Sequence, residues 1–144
     1  MPVLNTIILT GDGSQWEEKL AGAAGILPGH LLQTTTANGV VVHATSGGAG
    51  ATAVAVEDAI LGGTVDTVYA DANYVRYVFP SSGDILQMRL TAGVAYVIGD
   101  KLISGGTGAL LKTTGTPAKT FGEIVEAVDY TVGSAVRLGK VRIY

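Results

Sequence analysis

Glycine divides this chain into short apolar runs, and this spacing constrains the fold more than any other feature. The 144 residues include 21 glycines, and the runs between them are about four to eight residues long, the length of strands rather than helices. The runs are rich in Val, Ile, Thr and Tyr, which pack well on a pleated sheet. Closely spaced strands without intervening helices favour a mainly β fold, either an antiparallel barrel or a sandwich. The predicted strands are Leu31–Thr35, Val40–Ala44, Ala53–Glu57, Tyr74–Phe79, Ile85–Leu90, Ala95–Ile98, Leu110–Thr113, Phe121–Val128 and Val136–Tyr144.

One hairpin and two short helical segments have local signals of their own. Asn38-Gly39 lies between two apolar runs and can supply the positive φ angles of a tight hairpin turn. Gln15–Ala24 is predicted to be helical, because Ser14 can cap it and Glu17 follows as a capping-box partner. A single helical turn is predicted near Glu57–Leu61.

A short phrase occurs three times, as GHLL at Gly29, GDIL at Gly83 and GDKL at Gly99. Glycine permits a sharp turn, the Asp or His side chain can bond nearby backbone, and leucine points to the core. We interpret each copy as the start of a hairpin module of turn, strand, turn and strand. The alternative is that Asp84 and Asp100 bind a cation or act as a catalytic pair, although no D-x-D-x-D-G spacing surrounds them.

Composition excludes several classes of function. The chain has no cysteine, its net charge is −3 without a basic run, and its two histidines match no metal motif. Two glycine-rich segments, SGGAGAT and SGGTGALL, lack the GK[ST] ending of a phosphate-binding loop. We therefore expect no cofactor, no metal, no nucleic acid and no membrane partner. Because 47% of the residues are hydrophobic and only 15% are charged, other subunits or partners are expected to cover part of the surface.

The N-terminal run VLNTIILT is apolar and β-prone, and the flexible GDGS follows it. Two interpretations stay open: the run adds as a strand to a neighbouring molecule, or it pairs within its own sheet. The first divides the chain into an N-terminal arm, residues 1–14, and a single β-rich domain, residues 15–144. It also predicts that the arm and its neighbour Trp16 contact a partner, through Val3, Leu4, Ile7, Ile8, Leu9 and Trp16.

The order of several motifs resembles that of the head decoration (cement) proteins of tailed bacteriophages. The likeness spans about residues 21–144, and the order of the motifs is more specific than any one of them. The matching segments are Gly25 to Gly29, Glu57 to Gly63, Tyr69-Ala70, Gly83 to Gly93, Gly99 to Leu110 and Glu126 to Tyr144.

This resemblance implies a small antiparallel β-barrel or β-tulip-like domain with one or two short helices and an extended N-terminal arm. It implies a non-enzymatic virion protein, made in the bacterial host cytoplasm, that binds the outer capsid surface as a homotrimer. There it would clamp neighbouring major capsid proteins and stabilise the shell. Two alternatives from other classes stay open: a trimeric β-rich nucleotide-hydrolysing enzyme, and a carbohydrate-binding or fibre module.

Overall fold

The computed structural model describes residues 6–11, 16–48, 53–115, 119–133 and 136–144. Every predicted strand contains an observed one, and the predicted helical turn near Glu57–Leu61 is a short 3₁₀ helix, Ala59–Leu61. None of the helices in these residues has the length and apolar character needed to cross a bilayer. The strands are β1 (Ile8–Thr10), β2 (Trp16–Leu20), β3 (Leu31–Thr34), β4 (Val40–Val42), β5 (Ala53–Ala55), β6 (Tyr74–Val78), β7 (Ile85–Leu90), β8 (Ala95–Tyr96), β9 (Lys101–Ser104), β10 (Leu110–Lys112), β11 (Gly122–Ile124), β12 (Val128–Asp129) and β13 (Arg137–Ile143).

The C-terminal strands form a closed five-stranded barrel, in the order β7-β10-β9-β11-β13 with β13 pairing back to β7. The predicted barrel is therefore confirmed, with one difference. The contact between β10 and β7 is parallel, through Leu110 and Leu90, whereas the other pairings in the ring are antiparallel. Strand β1 lies beside β7 on the same edge as β10. We call residues 85–143 the C-terminal unit.

The N-terminal strands form a second five-stranded sheet, in the order β2-β6-β5-β3-β4, and every pairing in it is antiparallel. A parallel bridge between Ala21 and Val40 joins the end of β2 to the start of β4. This bridge brings the two outer strands of the sheet together, so the sheet curls toward a ring. We call residues 16–78 the N-terminal unit.

The two units have the same topology. Strands β2, β3, β4, β5 and β6 correspond in order, partner and direction to β7, β9, β10, β11 and β13, and the parallel Ala21–Val40 bridge corresponds to Leu90–Leu110. The registers also agree: Leu20 opposite Tyr74 corresponds to Arg89 opposite Leu138, and Thr34 opposite Val40 corresponds to Ser104 opposite Leu110. The fold is thus a tandem pair of equivalent β units.

The units differ mainly in one loop. In the N-terminal unit, residues 57–68 separate Val56, whose amide donates to Arg76 O, from Tyr69, whose amide donates to Ile26 O. In the C-terminal unit, Val125 makes the bond equivalent to that of Val56, and β12 begins at Val128. We call residues 57–68 the insertion; it contains the 3₁₀ helix and lies outside both sheets.

The buried apolar side chains form two cores, and the larger one extends across both units. The larger core fills the C-terminal barrel and continues to Leu31, Val54 and Val78 of the N-terminal unit. The smaller core lies inside the N-terminal sheet and includes Leu32 and Tyr77. Burying each such side chain stabilises the fold by about 1.5–3 kcal/mol, which is the main force that holds these short strands together.

The predicted helix over Gln15–Ala24 is wrong, because its described part forms strand β2, paired along its whole length with β6. Side-chain contacts across this pair outweigh the good helix propensity of Glu, Lys and Leu. Tyr77 of β6 donates a 2.7 Å hydrogen bond from its hydroxyl to the carboxylate of Glu17. Burial and this bond raise the pKa of the Tyr77 hydroxyl, so it remains protonated as the donor. The proposed cap Ser14 lies outside the described residues.

Three smaller expectations need revision. Asn38 and Gly39 do close the β3–β4 hairpin, but only Asn38 has a positive φ, of 66°, and the loop is longer than a two-residue turn. The predicted strand Phe121–Val128 is divided into β11 and the start of β12. Strand β9 has no counterpart among the nine separately predicted strands, although the predicted hairpin module that begins at GDKL includes a strand at this place.

Candidate association surfaces

The repeated phrases form the same turn three times, which confirms the structural interpretation of their Asp and His residues. In each turn a side chain accepts a hydrogen bond from the amide three residues earlier, and the intervening glycine has a positive φ of 88°, 94° or 89°. That φ belongs to the third position of a type II turn, where glycine is favoured. The bonds are Leu27 N to His30 Nδ1 at 3.1 Å, Ser81 N to Asp84 Oδ2 at 2.9 Å and Val97 N to Asp100 Oδ2 at 2.9 Å.

The turns do not all begin hairpins. GHLL leads into the β3–β4 hairpin and GDKL into the β9–β10 hairpin, as predicted. GDIL leads into β7, whose partners are β1, β10 and β13 rather than the strand that follows it in the chain. The prediction of three hairpin modules is therefore correct for two copies and wrong for the third.

Asp84 and Asp100 serve their own turns rather than a shared catalytic or metal site. Asp100 also forms an ion pair with Lys112 at 2.8 Å. Burial opposes the ionisation of Asp100, but the bonds from Lys112 and from the Val97 amide outweigh it and lower its pKa. Among the described residues, no group of three His, Asp or Glu side chains is placed to hold a metal ion.

Both histidines are buried, and one of them, His43, links the two units. His43 follows β4, and its Nδ1 lies 2.6 Å from the hydroxyl of Ser104 in β9, with both residues buried. His30 belongs to the first turn, where burial and the positive charge of Arg89 lower its pKa to about 4. Both imidazoles sit inside the molecule as structural partners, so the His43–Ser104 contact links the units and offers no accessible nucleophile.

A further contact between the units is made by the Leu27–His30 turn against β7. The amide of Arg89 donates to Gly29 O at 2.9 Å, and its Nε donates to Pro28 O at 3.0 Å. The guanidinium also bonds Val65 O and lies 3.2 Å from an Asp66 carboxylate oxygen. Arg89 is only 6% exposed, so this turn and part of the insertion together bury the outer face of β7.

The structure separates the residues that were predicted to contact the capsid. Val3 and Leu4 lie outside the described residues. Ile7 is fully buried in the larger core, while Ile8 and Leu9 are partly buried beside β7. The described end of the N-terminal run therefore pairs within its own chain, and the Ile7 side chain is not available to a partner in this conformation. The predicted boundary of the arm at residue 14 also lies outside the described residues.

Trp16, by contrast, lies on an exposed apolar surface of the N-terminal unit. Its ring is half exposed, and the Arg76 guanidinium carbon lies 4.3 Å from the ring centre. Arg76 also lies 3.2 Å from a Glu18 carboxylate oxygen and 3.5 Å from an Asp58 carboxylate oxygen. The Glu18 contact is an ion pair rather than a hydrogen bond, since the Nε–H has no acceptor in a bonding direction. The charges of this surface are thus engaged with one another, which leaves the apolar side chains as its free groups.

An open groove of about 630 Å³ runs between the outer face of β2 and β6 and the insertion. Its walls include Glu18 and Tyr74 from the strands and Ile60, Leu61 and Val68 from the insertion. Ile60 and Leu61 are 79% and 84% exposed, an unusual degree for two adjacent aliphatic side chains. Sequence reasoning missed them; the usable signal is an Ala-Ile-Leu triplet directly before two glycines.

A second exposed apolar group lies on the C-terminal unit. Val97 and Ile98 occupy the first two positions of the third turn, before Gly99, and are 54% and 70% exposed. Of the equivalent residues of the first turn, Leu27 is half-buried, and Pro28 is buried beside Arg89 of the C-terminal unit. In the described residues, each unit therefore presents an exposed apolar group.

Comparison with known proteins identifies the fold but not a family. No known protein family matches the sequence, and no curated protein matches it. The crystal structure of the N base of head fiber gp8.5 from bacteriophage phi29 matches 90% of this chain and 92% of that chain, with a TM-score of 0.59 and 16% sequence identity. At this identity the likeness shows a shared fold. The matched protein is a head fiber of a phage.

Proposed function

We propose that this chain is a non-enzymatic structural virion protein that binds the outer surface of a phage capsid. The observation that carries the proposal is the likeness of its fold, over 90% of its length, to the N base of a phage head fiber. The order of sequence motifs that resembles head decoration proteins is a separate support for the same function.

The exposed apolar surfaces suit such a role. A protein that binds a shell needs apolar side chains at the centre of the contact and charged groups at its rim. Ile60 and Leu61 project from the insertion, and the ion pairs of Arg76 with Glu18 and Asp58 lie beside them. We assign the capsid contact to the insertion together with Trp16.

The N-terminal residues Val3, Leu4, Ile8 and Leu9 stay in the proposed contact, while Ile7 has a supporting role. Its buried side chain anchors β1 to the larger core, and its amide donates to the Glu57 carboxylate at 3.0 Å. Since Glu57 begins the insertion, this bond ties the N-terminal segment to the proposed capsid-binding surface.

The proposed partners are the major capsid protein and further copies of this chain, assembled as a homotrimer. By contacting neighbouring capsid subunits at once, the protein would clamp them and help the shell resist internal pressure. It would be made in the bacterial host cytoplasm and located on the outside of the virion.

The test is co-sedimentation of the purified protein with capsids of the same phage that lack it. Wild-type protein should sediment with the capsids and raise their thermal stability. An Ile60→Asp, Leu61→Asp double variant should bind at least tenfold more weakly, because it places two charges in a contact that excludes water. Val132→Asp, which changes a side chain that is 83% exposed on the other unit, should bind normally. Wild-type protein that stays in the supernatant would refute the proposed function.

A further inference from the structure

The equivalence of the two units makes one contact inside the chain a template for a contact between chains. Within the chain, the Leu27–His30 turn of the N-terminal unit docks on β7 of the C-terminal unit. The equivalent pieces are the Val97–Asp100 turn of the C-terminal unit and β2 of the N-terminal unit. In this part of the contact between its units, the chain uses one turn and one strand, and it leaves one of each unused.

The unused pieces are exposed where their counterparts are buried. Pro28 and Gly29 are buried against β7, whereas Ile98 and Gly99 are exposed. On the strand side, Arg89 is 6% exposed, whereas its counterpart Leu20 is 44% exposed. The exposed side chains are apolar, so leaving them in water is unfavourable.

The unused pieces also carry matching hydrogen-bonding groups. In the internal contact, the Arg89 amide donates to Gly29 O. The Leu20 amide is the equivalent of the Arg89 amide in the N-terminal unit. The next amide, Ala21 N, donates to Asn73 O of the segment that leads into β6. Because successive amides along a strand point in opposite directions, the Leu20 amide points away from β6. Among the residues that the structure describes, no donor reaches Gly99 O. Within the described part of the chain, one donor and one acceptor thus lack a partner at the place where the internal contact has a bond.

The side chains of the unused strand form a receptive surface. Gly29 packs against Leu138 and the backbone of Gln87 and Arg89. The positions of Leu138 and Gln87 are taken in the N-terminal unit by Tyr74 and Glu18, which line the 630 Å³ groove. Leu20 stands at the position equivalent to Arg89, and Ile98 at the position equivalent to Pro28. Where the internal contact has a hydrogen bond from Arg89 to Pro28 O, these two aliphatic side chains can pack directly against each other.

We propose that the Val97–Asp100 turn of one copy docks on β2 of a second copy, with Gly99 O accepting a hydrogen bond from the Leu20 amide. The contact is head-to-tail, so each copy uses its turn on one neighbour and its strand on the other, and the series ends when a ring closes. This inference deepens the self-association in the proposed function and rests on it. It is tested without capsids, so its failure is distinguishable from a failure of capsid binding.

The first experiment measures the oligomeric state by sedimentation velocity and native mass spectrometry. Wild-type protein should form closed oligomers, and Leu20→Asp and Ile98→Asp should each be folded monomers, since both side chains are exposed. Val132→Asp, at an exposed apolar position outside the proposed contact, should assemble as the wild type does. Wild-type protein that is monomeric at high micromolar concentration, or assembly that survives both Asp variants, would overturn the proposal.

Mixing the two Asp variants tests the head-to-tail geometry itself. The Ile98→Asp protein keeps an intact strand surface and the Leu20→Asp protein keeps an intact turn, so an equimolar mixture should form heterodimers with one native contact and stop there. A contact that pairs the same surface of both copies would give no such rescue, and a mixture that stays monomeric would refute the assignment.

The absence of cysteine from the chain gives a second, covalent readout. Leu20→Cys protein mixed with Ile98→Cys protein should form a cross-linked heterodimer under mild oxidation. A Val132→Cys protein in place of Ile98→Cys should not cross-link to Leu20→Cys above the level of random collision. Equal yields in the two mixtures would contradict the proposed neighbours.

Discussion

Two separate glycine-to-alanine variants can distinguish the energetic cost of crowding between the units from the conformational cost of the turn itself. Gly29 and Gly99 occupy the same turn position with φ angles of 88° and 89°. An alanine in this left-handed region costs about 1–2 kcal/mol. That part of the cost is the same in both variants, so their difference reports the surroundings.

The surroundings differ sharply. A Cβ on Gly29 would lie 2.8 Å from Leu138 Cδ2, 3.1 Å from Gln87 O and 3.3 Å from Arg89 N, whereas a Cβ on Gly99 meets no atom within 4 Å. The Leu138 side chain can move, but the two backbone atoms belong to a paired strand and cannot. Overpacking of this kind costs about 1–3 kcal/mol. We therefore expect Gly29→Ala to lower the free energy of unfolding by about 2–5 kcal/mol, and Gly99→Ala by about 1–2 kcal/mol.

Urea unfolding followed by circular dichroism measures both values, at a protein concentration low enough for the wild type to be monomeric. The two variants should show the same dependence on urea and different midpoints. Equal destabilisation by Gly29→Ala and Gly99→Ala, within about 0.5 kcal/mol, would refute the close packing of the first turn on β7, since overpacking predicts a larger difference. It would also remove the template for the contact between chains.

Three further predictions concern single side chains. The pKa of His30 is about 4 in the folded chain against 6.5 in the unfolded one, so the unfolded chain binds the proton first: stability should be full above pH 6.5 and fall by up to about 3 kcal/mol as the pH drops to 4. His30→Asn should flatten this slope in urea unfolding, and an unchanged slope would contradict the assignment. Asp84→Asn should cost less than about 1 kcal/mol and leave capsid co-sedimentation intact, because the amide oxygen can still accept from Ser81 N; a folded variant that no longer binds would show that this carboxylate has a role beyond its turn. Ile7→Ala should destabilise the chain by about 2–5 kcal/mol in thermal or urea unfolding, because its side chain is fully buried. Leu9→Ala, at a partly exposed position, is the matched control, and an equal loss from both would argue against the burial of Ile7 in the core.

Local features of the fold could be predicted from the sequence because they depend on neighbouring residues. The type II turns follow from a glycine next to a side chain that accepts a nearby amide, and His30 and Asp100 perform this task equally well. Strand β2 could not be predicted, because the segment Trp16–Leu20 is extended only through its pairing with β6. Its residues favour a helix when considered alone.

The tandem arrangement of the two units could not be predicted from the sequence for a related reason. Equivalent positions need the same conformation rather than the same residue: Asn38 and Gly108 both adopt a positive φ at the hairpin loop, although they share no side-chain chemistry. The candidate surfaces were hidden as well, because the sequence shows that Ile60, Leu61 and Ile98 are apolar but not that tertiary packing leaves them uncovered. Exposure is a property of the assembled units, and no local pattern encodes it.

The tandem pair of units also explains why this apolar chain leaves part of its apolar surface uncovered. In a tandem pair joined head-to-tail, the internal contact covers the turn of one unit and the strand of the other, and the same chemistry remains free at both ends. Here the strand end carries Leu20 and Tyr74, and the turn end carries Val97 and Ile98. The insertion lies beside the strand end only, because the C-terminal unit has no equivalent of it. Association of copies would therefore cover the duplicated surfaces, while the part of the chain without a duplicate, with Ile60 and Leu61, remains available to a different partner such as the capsid.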